Sequence, residues 1–141
     1  MGKLIGIDYG RKRVGIAVSD ELQIIASPLC TLSPEETLVF LKEYCAGNPV
    51  DAIAVGQPHH TYSAEAPVAV EEDILAFVAQ LESILPGIPV ERYDERFTSK
   101  IAARDLFASG APKGKRQEKG ALDRTSAAII LRDYMESRGR R

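Results

Sequence analysis

The 141-residue sequence predicts an α/β fold: a five-stranded mixed sheet with helices on its faces. Three observations predict it. Two short apolar runs, Leu4 to Asp8 and Val14 to Ser19, flank a turn rich in glycine and charge, the pattern of a β-hairpin. Downstream, apolar strand-like runs alternate with segments of helical periodicity, and strands joined through helices pair in parallel. Finally, 45% hydrophobic and 27% charged residues are the proportions of an ordinary globular chain with a sizeable core.

In order, the elements read β-β-β-α-β-α-β-α-α. In the hairpin, alternation puts Leu4, Gly6 and Asp8 on one face and Ile5, Ile7 and Tyr9 on the other. The second run sets Gly15, Ala17 and Ser19 opposite Val14, Ile16 and Val18, so one face is almost bare of bulk. Gln23 to Thr31 suggests a third strand, interrupted or ended near Pro28. Ser33-Pro34-Glu35-Glu36 starts a helix: Ser as N-cap, Pro at the first position, acids at the positive dipole end. Leu38, Leu41 and Tyr44 form its core stripe, and Gly47-Asn48-Pro49 stops it. Ala52 to Val55 is a short buried strand ending at Gly56. Ala66 to Leu85 is a long helix with Val70, Ile74, Phe77, Val78, Leu81 and Leu85 at helical spacing. Ile88 to Tyr93 is the fifth strand, Thr98 caps a helix through Phe107, 111–120 is a loop, and Ala121 to about Met135 is the last helix. The end, about 136–141, reads as a basic tail on a single domain spanning 1–141.

Composition excludes several classes. No apolar run approaches the roughly 20 residues of a membrane span, and Met1-Gly2-Lys3 leads directly into a core strand, so no signal peptide is expected. Cys30 and Cys45 have no metal-ligand spacing and read as reduced, buried thiols of a cytoplasmic protein. The net charge of −2 hides a polarity: residues 1–95 hold 6 Lys/Arg against 15 Asp/Glu, and residues 96–141 hold 12 against 5. Such a basic final third suits a polyanion partner, or else a solvated helix and tail.

Three places carry acids suited to chemistry. Asp8 ends the first strand, Asp94-Glu95 follow the fifth, and Asp123 lies in the first turn of the last helix. Singly, each also fits a structural role, as a turn former or a helix-dipole partner. Together they suggest one site. Ala127 lies one turn beyond Asp123, and Ala128 adds a second small side chain, so this helix is suited to approach the bare Gly/Ala face around Asp8. Converging carboxylates are hard oxygen donors that select Mg2+ or Mn2+. Two such ions about 3.5–4 Å apart stabilise the attacking and leaving oxygens of a phosphoryl displacement. Lys113, Lys115, Arg116 and Lys119, just before Asp123, are placed to hold a phosphate backbone against it.

These motifs resemble the YqgF (RuvX) family of RNase H-like nucleases, described as Holliday-junction-resolvase homologues and as pre-16S rRNA nucleases. The resemblance runs nearly end to end. It rests on Gly6-Ile7-Asp8-Tyr9-Gly10 with Gly15-Ile16-Ala17, on Asp94-Glu95-Arg96-Phe97-Thr98-Ser99, and on Lys119-Gly120-Ala121-Leu122-Asp123 continuing through Ser126-Ala127-Ala128 to Ile130-Leu131. It implies an RNase H-like sheet of order 3-2-1-4-5. It also implies catalytic, metal-binding acids Asp8, Glu95 and Asp123, with Asp94 a possible addition. Cations in or beside the motifs, Arg11, Lys12, Arg13, Arg96 and Arg124, join the basic stretch as expected nucleic-acid contacts.

The sequence departs from the family at Val55-Gly56-Gln57-Pro58-His59-His60, where an acid and a glycine usually follow. His59 and His60 could ligate a metal or simply be exposed. The expected activity is metal-dependent hydrolysis of structured RNA, 5′ maturation of pre-16S rRNA in precursor particles, with branched four-way DNA junctions as the alternative. A monomer or weak homodimer is expected, since no apolar stripe announces a dimer. Two other classes compete. One is a relative of the actin-like ATPases, which need a second such lobe; the other is a non-catalytic RNA-binding module.

Overall fold

A computed structural model describes residues 2–10, 12–57, 67–94 and 119–139. Five strands, β1 (Lys3–Asp8), β2 (Val14–Ser19), β3 (Ala26–Leu32), β4 (Val50–Gln57) and β5 (Val90–Asp94), form one sheet of order β3-β2-β1-β4-β5, the order the resemblance implies. β1 pairs antiparallel with β2 and parallel with β4, and β4 pairs parallel with β5. Helices α1 (Pro34–Gly47) and α2 (Pro67–Ile84) cover one face and α3 (Lys119–Gly139) the other.

Alternation along the hairpin decides how those faces are covered. Ile5, Ile7, Val14 and Ile16 pack with Leu41 of α1 and with Ile74, Phe77 and Leu81 of α2. The opposite face offers Leu4, Ala17, Ala52 and Ala54, against which Ala127, Leu131 and Tyr134 of α3 pack. One layer is thick and aliphatic; the other is thin, and lets a helix approach the strands closely. Gly10 is required where the hairpin turns: an added Cβ there would lie 2.5 Å from the Arg13 carbonyl oxygen.

The cap expected for α1 is present in full. The Ser33 side chain accepts from the Glu36 N–H at 3.2 Å, and the Glu36 carboxylate accepts from the Ser33 N–H at 3.1 Å.

Several boundaries differ from the sequence reading. β3 begins at Ala26, because Asp20 Oδ1 accepts from the N–H groups of Ile24 and Ile25 and folds residues 20–25 into a turn. Gln23 there has φ 58°, held by its amide donating to the Gly2 carbonyl and Asp51. Pro28 does not end the strand. β3 is the edge, and the register shifts so that Leu29 has no partner opposite it, a bulge that accommodates the missing N–H. β5 starts two residues later than expected, at Val90, because Ile88 is drawn into a turn by donating its N–H to the Leu85 carbonyl. α3 starts at Lys119, within the expected loop, and continues past Met135 to Gly139, into the stretch read as tail. The helix expected over 98–107 lies outside the described residues, as does most of the loop over 111–120.

Cys30 and Cys45 are free and half-buried rather than fully buried; burial pushes both thiols above their usual pKa. Although the sequence announces no apolar stripe, the β2–β3 turn leaves Leu22, Ile24 and Ile25 exposed at 65%, 67% and 62%. No helix among the described residues is long and apolar enough to cross a membrane.

Candidate nuclease site at the carboxyl edge of the sheet

Asp8 is the last residue of β1, half-buried, with Gly15 as its cross-strand neighbour. It shares a face with Leu4 and Gly6, the face α3 covers. How close α3 comes is set at Gly6, where a Cβ would lie 2.6 Å from Leu131 Cβ and 2.8 Å from the Ala127 carbonyl oxygen. Only a residue without a side chain fits beneath this helix.

The direction of α3 follows from its contacts. Its later residues Met135 and Arg138 line one cavity with Leu4, Leu22 and Gln23 at the opposite end of β1 from Asp8. α3 therefore runs antiparallel to β1. From Ala127 back to position 123 is about 6 Å of helix rise, and from Gly6 to Asp8 about 6.6 Å of strand. The start of α3, with Asp123, and the Asp8 end of β1 therefore lie in the same direction from the Gly6 contact.

β5 ends at the same edge, with Asp94 paired to Gln57 of β4. Its backbone lies two strand spacings from β1, roughly 9.6 Å. Alternation in β5 is fixed by its partners. Arg92 faces α2, donating to both oxygens of Glu71 at 2.7 and 3.2 Å. Glu91 faces α3, accepting from the Tyr134 hydroxyl at 2.9 Å, and Tyr93 meets the Tyr134 ring edge-on at 6.3 Å. The strand positions in phase with Asp8 are therefore 91 and 93. Glu95, next in that phase by sequence number, lies outside the described residues.

Three of the expected nucleic-acid contacts are described with their side chains. Lys12 and Arg13 are exposed on the hairpin turn beside Asp8, and Arg124 is half-buried in the first turns of α3. The Arg124 charge reaches Cys30 of β3, where it partly opposes the effect of burial on that thiol. Lys119 is the first residue of α3. Arg11, Arg96, Lys113, Lys115 and Arg116 lie outside the described residues, as do His59 and His60. Among the described residues no three His, Cys, Asp or Glu side chains form a cluster able to hold a metal.

The sequence reading missed what fixes α3 in place. The Tyr134 hydroxyl donates to Glu91 and accepts from Arg138 at 3.0 Å, tying α3 to β5. Burial pushes the Tyr134 phenol above its usual pKa and Glu91 adds to this, so it remains a neutral donor. The signal was available: Tyr134 falls on the Ala127, Leu131 stripe, and a tyrosine buried there needs a hydroxyl partner.

The RuvX family model, described as Holliday junction resolvase, matches residues 2–137. The chain belongs to the RuvX family. A protein of Bacteroides thetaiotaomicron named "Putative pre-16S rRNA nuclease" is 45% identical over 98% of this chain and 99% of its own length. One of the same name from Flavobacterium johnsoniae is 44% identical with the same coverage. Among solved structures, T. thermophilus RuvC in complex with Holliday junction substrate matches with TM-score 0.60 at 16% identity, over 99% of this chain and 96% of that one. Fowlpox virus resolvase with substrate Holliday junction DNA gives TM-score 0.61 at 12% identity, over 96% and 97%. At these identities the match speaks to fold, and the fold of this RuvX member is the RuvC-like, RNase H-like one.

Proposed function

We propose that this RuvX protein is a divalent-metal-dependent phosphodiesterase of structured nucleic acid, maturing the 5′ end of pre-16S rRNA in ribosomal precursor particles. The observation that supports it most is the contact of α3 on Gly6, two residues before Asp8, with the start of α3 directed toward the edge where β1, β4 and β5 end. Ligands of open α/β sheets bind at that edge.

The donor set fits Mg2+ or Mn2+. Asp8, Glu95 and Asp123 offer only hard oxygens, and the cross-strand neighbour of Asp8 is Gly15, which puts no side chain beside it. Bound there, the ion supplies Lewis acidity at the scissile phosphate and eases deprotonation of an attacking water. In this reading Asp8 orients the site from the rigid central strand. Lys12, Arg13 and Arg124 hold the phosphate backbone on the α3 side of the sheet. Position 94 is out of phase with Asp8, which disfavours Asp94 as the third acid.

Four-way DNA junctions are the second reading, favoured by the description of the RuvX family and by the two junction-bound resolvases of the same fold. Product mapping on a pre-rRNA 5′ leader and a four-way junction, run side by side in Mg2+ or Mn2+, separates the two. Asp8→Asn should lower cleavage at least about 100-fold, the scale on which loss of one catalytic group acts. Glu95→Gln should cost more than Asp94→Asn. Wild-type cleavage by Asp8→Asn would refute the assignment.

A further inference from the structure

The sheet separates layers of unlike charge. α1 and α2 together carry seven carboxylates and one lysine, Lys42, whereas α3 carries four cations and three carboxylates. Between α1 and α2 lies an open groove of about 360 Å³. Tyr9, Leu38 and Phe77 form its floor, the Tyr9 and Phe77 rings packed 5.0 Å apart, and Glu35, Asp73 and Gln80 stand among its lining. Val39, one turn on from Glu35, is 60% exposed and continues the apolar track along α1.

Charge selects the occupant. Phosphates are repelled by this layer, so the groove is a poor extension of a nucleic-acid path. A lysine or arginine suits its charge and its apolar floor. The aliphatic stem suits Leu38 and Ala76, and the head is drawn by the excess of carboxylates on α1 and α2, Glu35 in the lining among them. We infer that the α1–α2 groove docks a Lys/Arg-rich extended segment of a partner protein. Tyr9 directly follows Asp8 but faces the other side of the sheet. A basic protein held there lies beside the Asp8 edge without covering it, an arrangement suited to a substrate made of RNA and basic protein. The inference does not depend on the nuclease reading, because its test measures no cleavage.

The test is fluorescence anisotropy of a fluorescein-labelled octa-arginine peptide titrated with the full chain. Saturable binding is expected. Ala76→Trp, at an exposed position, fills the groove without changing charge and should weaken binding about tenfold or more, as loss of a central contact does. Gln80→Trp serves as a second filling variant, and Glu35→Lys with Asp73→Lys should act at least as strongly. Glu82→Lys places a new positive charge on α2 outside the groove and should leave affinity within about twofold. Three results overturn the inference: no saturable binding, wild-type affinity in both filled variants, or as large a loss from Glu82→Lys as from the groove pair.

Discussion

At Gly6 a methyl group would meet Leu131 Cβ at 2.6 Å and the Ala127 carbonyl oxygen at 2.8 Å, and the second contact is backbone that no rotamer change relieves. Gly6→Ala must therefore displace α3 from the strand. Overpacking of this kind costs about 1–3 kcal/mol, to be read as a lower urea midpoint. Because the displaced helix carries Asp123, cleavage should fall further than the lost stability explains; an unchanged midpoint would refute the close contact. Asp20 acts at the same scale through protons. Hydrogen bonds from the Ile25 N–H, then the Ile24 N–H, hold its carboxyl below the usual carboxylate range. A folded-state pKa below the unfolded one gives stability that is present above the unfolded value and lost as pH falls through the folded one. The unfolding temperature should thus drop as pH falls below about 5, and drop less steeply in Asp20→Asn. Equal slopes in the two proteins would exclude Asp20 as a contributor.

Helix α1 shows how far a local signal reaches. Ser33, Pro34 and Glu36 specify its start from sequence, and each does the expected work in the structure. Ser33→Ala removes the acceptor for the Glu36 N–H and half of the reciprocal cap. It should cost about 1 kcal/mol in chemical denaturation, whereas Ser33→Asp should be nearly neutral; equal loss in both would show that the cap is not what matters. The strands β1 and β2 were legible for a similar reason, since period-2 alternation separates a bulky face from a bare one within six residues. Elements whose ends depend on distant partners were not legible. Ile24 and Ile25 read as strand residues, yet Asp20 and the Gln23 contact to Asp51 fold them into an exposed turn. The clamp of Glu91, Tyr134 and Arg138 joins residues 43 apart, beyond any periodic pattern.

Across the whole molecule, the acids of the candidate site were found as residue types at strand and helix ends, and the bare Gly/Ala face foretold the close helix. That β1 and β5 end at one edge depends on strand order, which reached the sequence reading only through family resemblance. Charge adds a further consequence at this scale. With an acidic α1–α2 layer behind the sheet, a nucleic acid should be drawn to the opposite face, where α3 carries four cations against three carboxylates. Each phosphate neutralised contributes about 0.7–0.9 to the slope of log affinity against log salt. Replacing Lys113, Lys115, Arg116 and Lys119 with serine should therefore flatten that slope by up to roughly 3.6, measured on an inactive Asp8→Asn background. Removing a carboxylate from the opposite layer, as in Glu72→Gln, should leave the slope unaltered. If the quadruple variant keeps the wild-type slope, the phosphate track runs elsewhere, and Lys12, Arg13 and Arg124 become the cations to remove next.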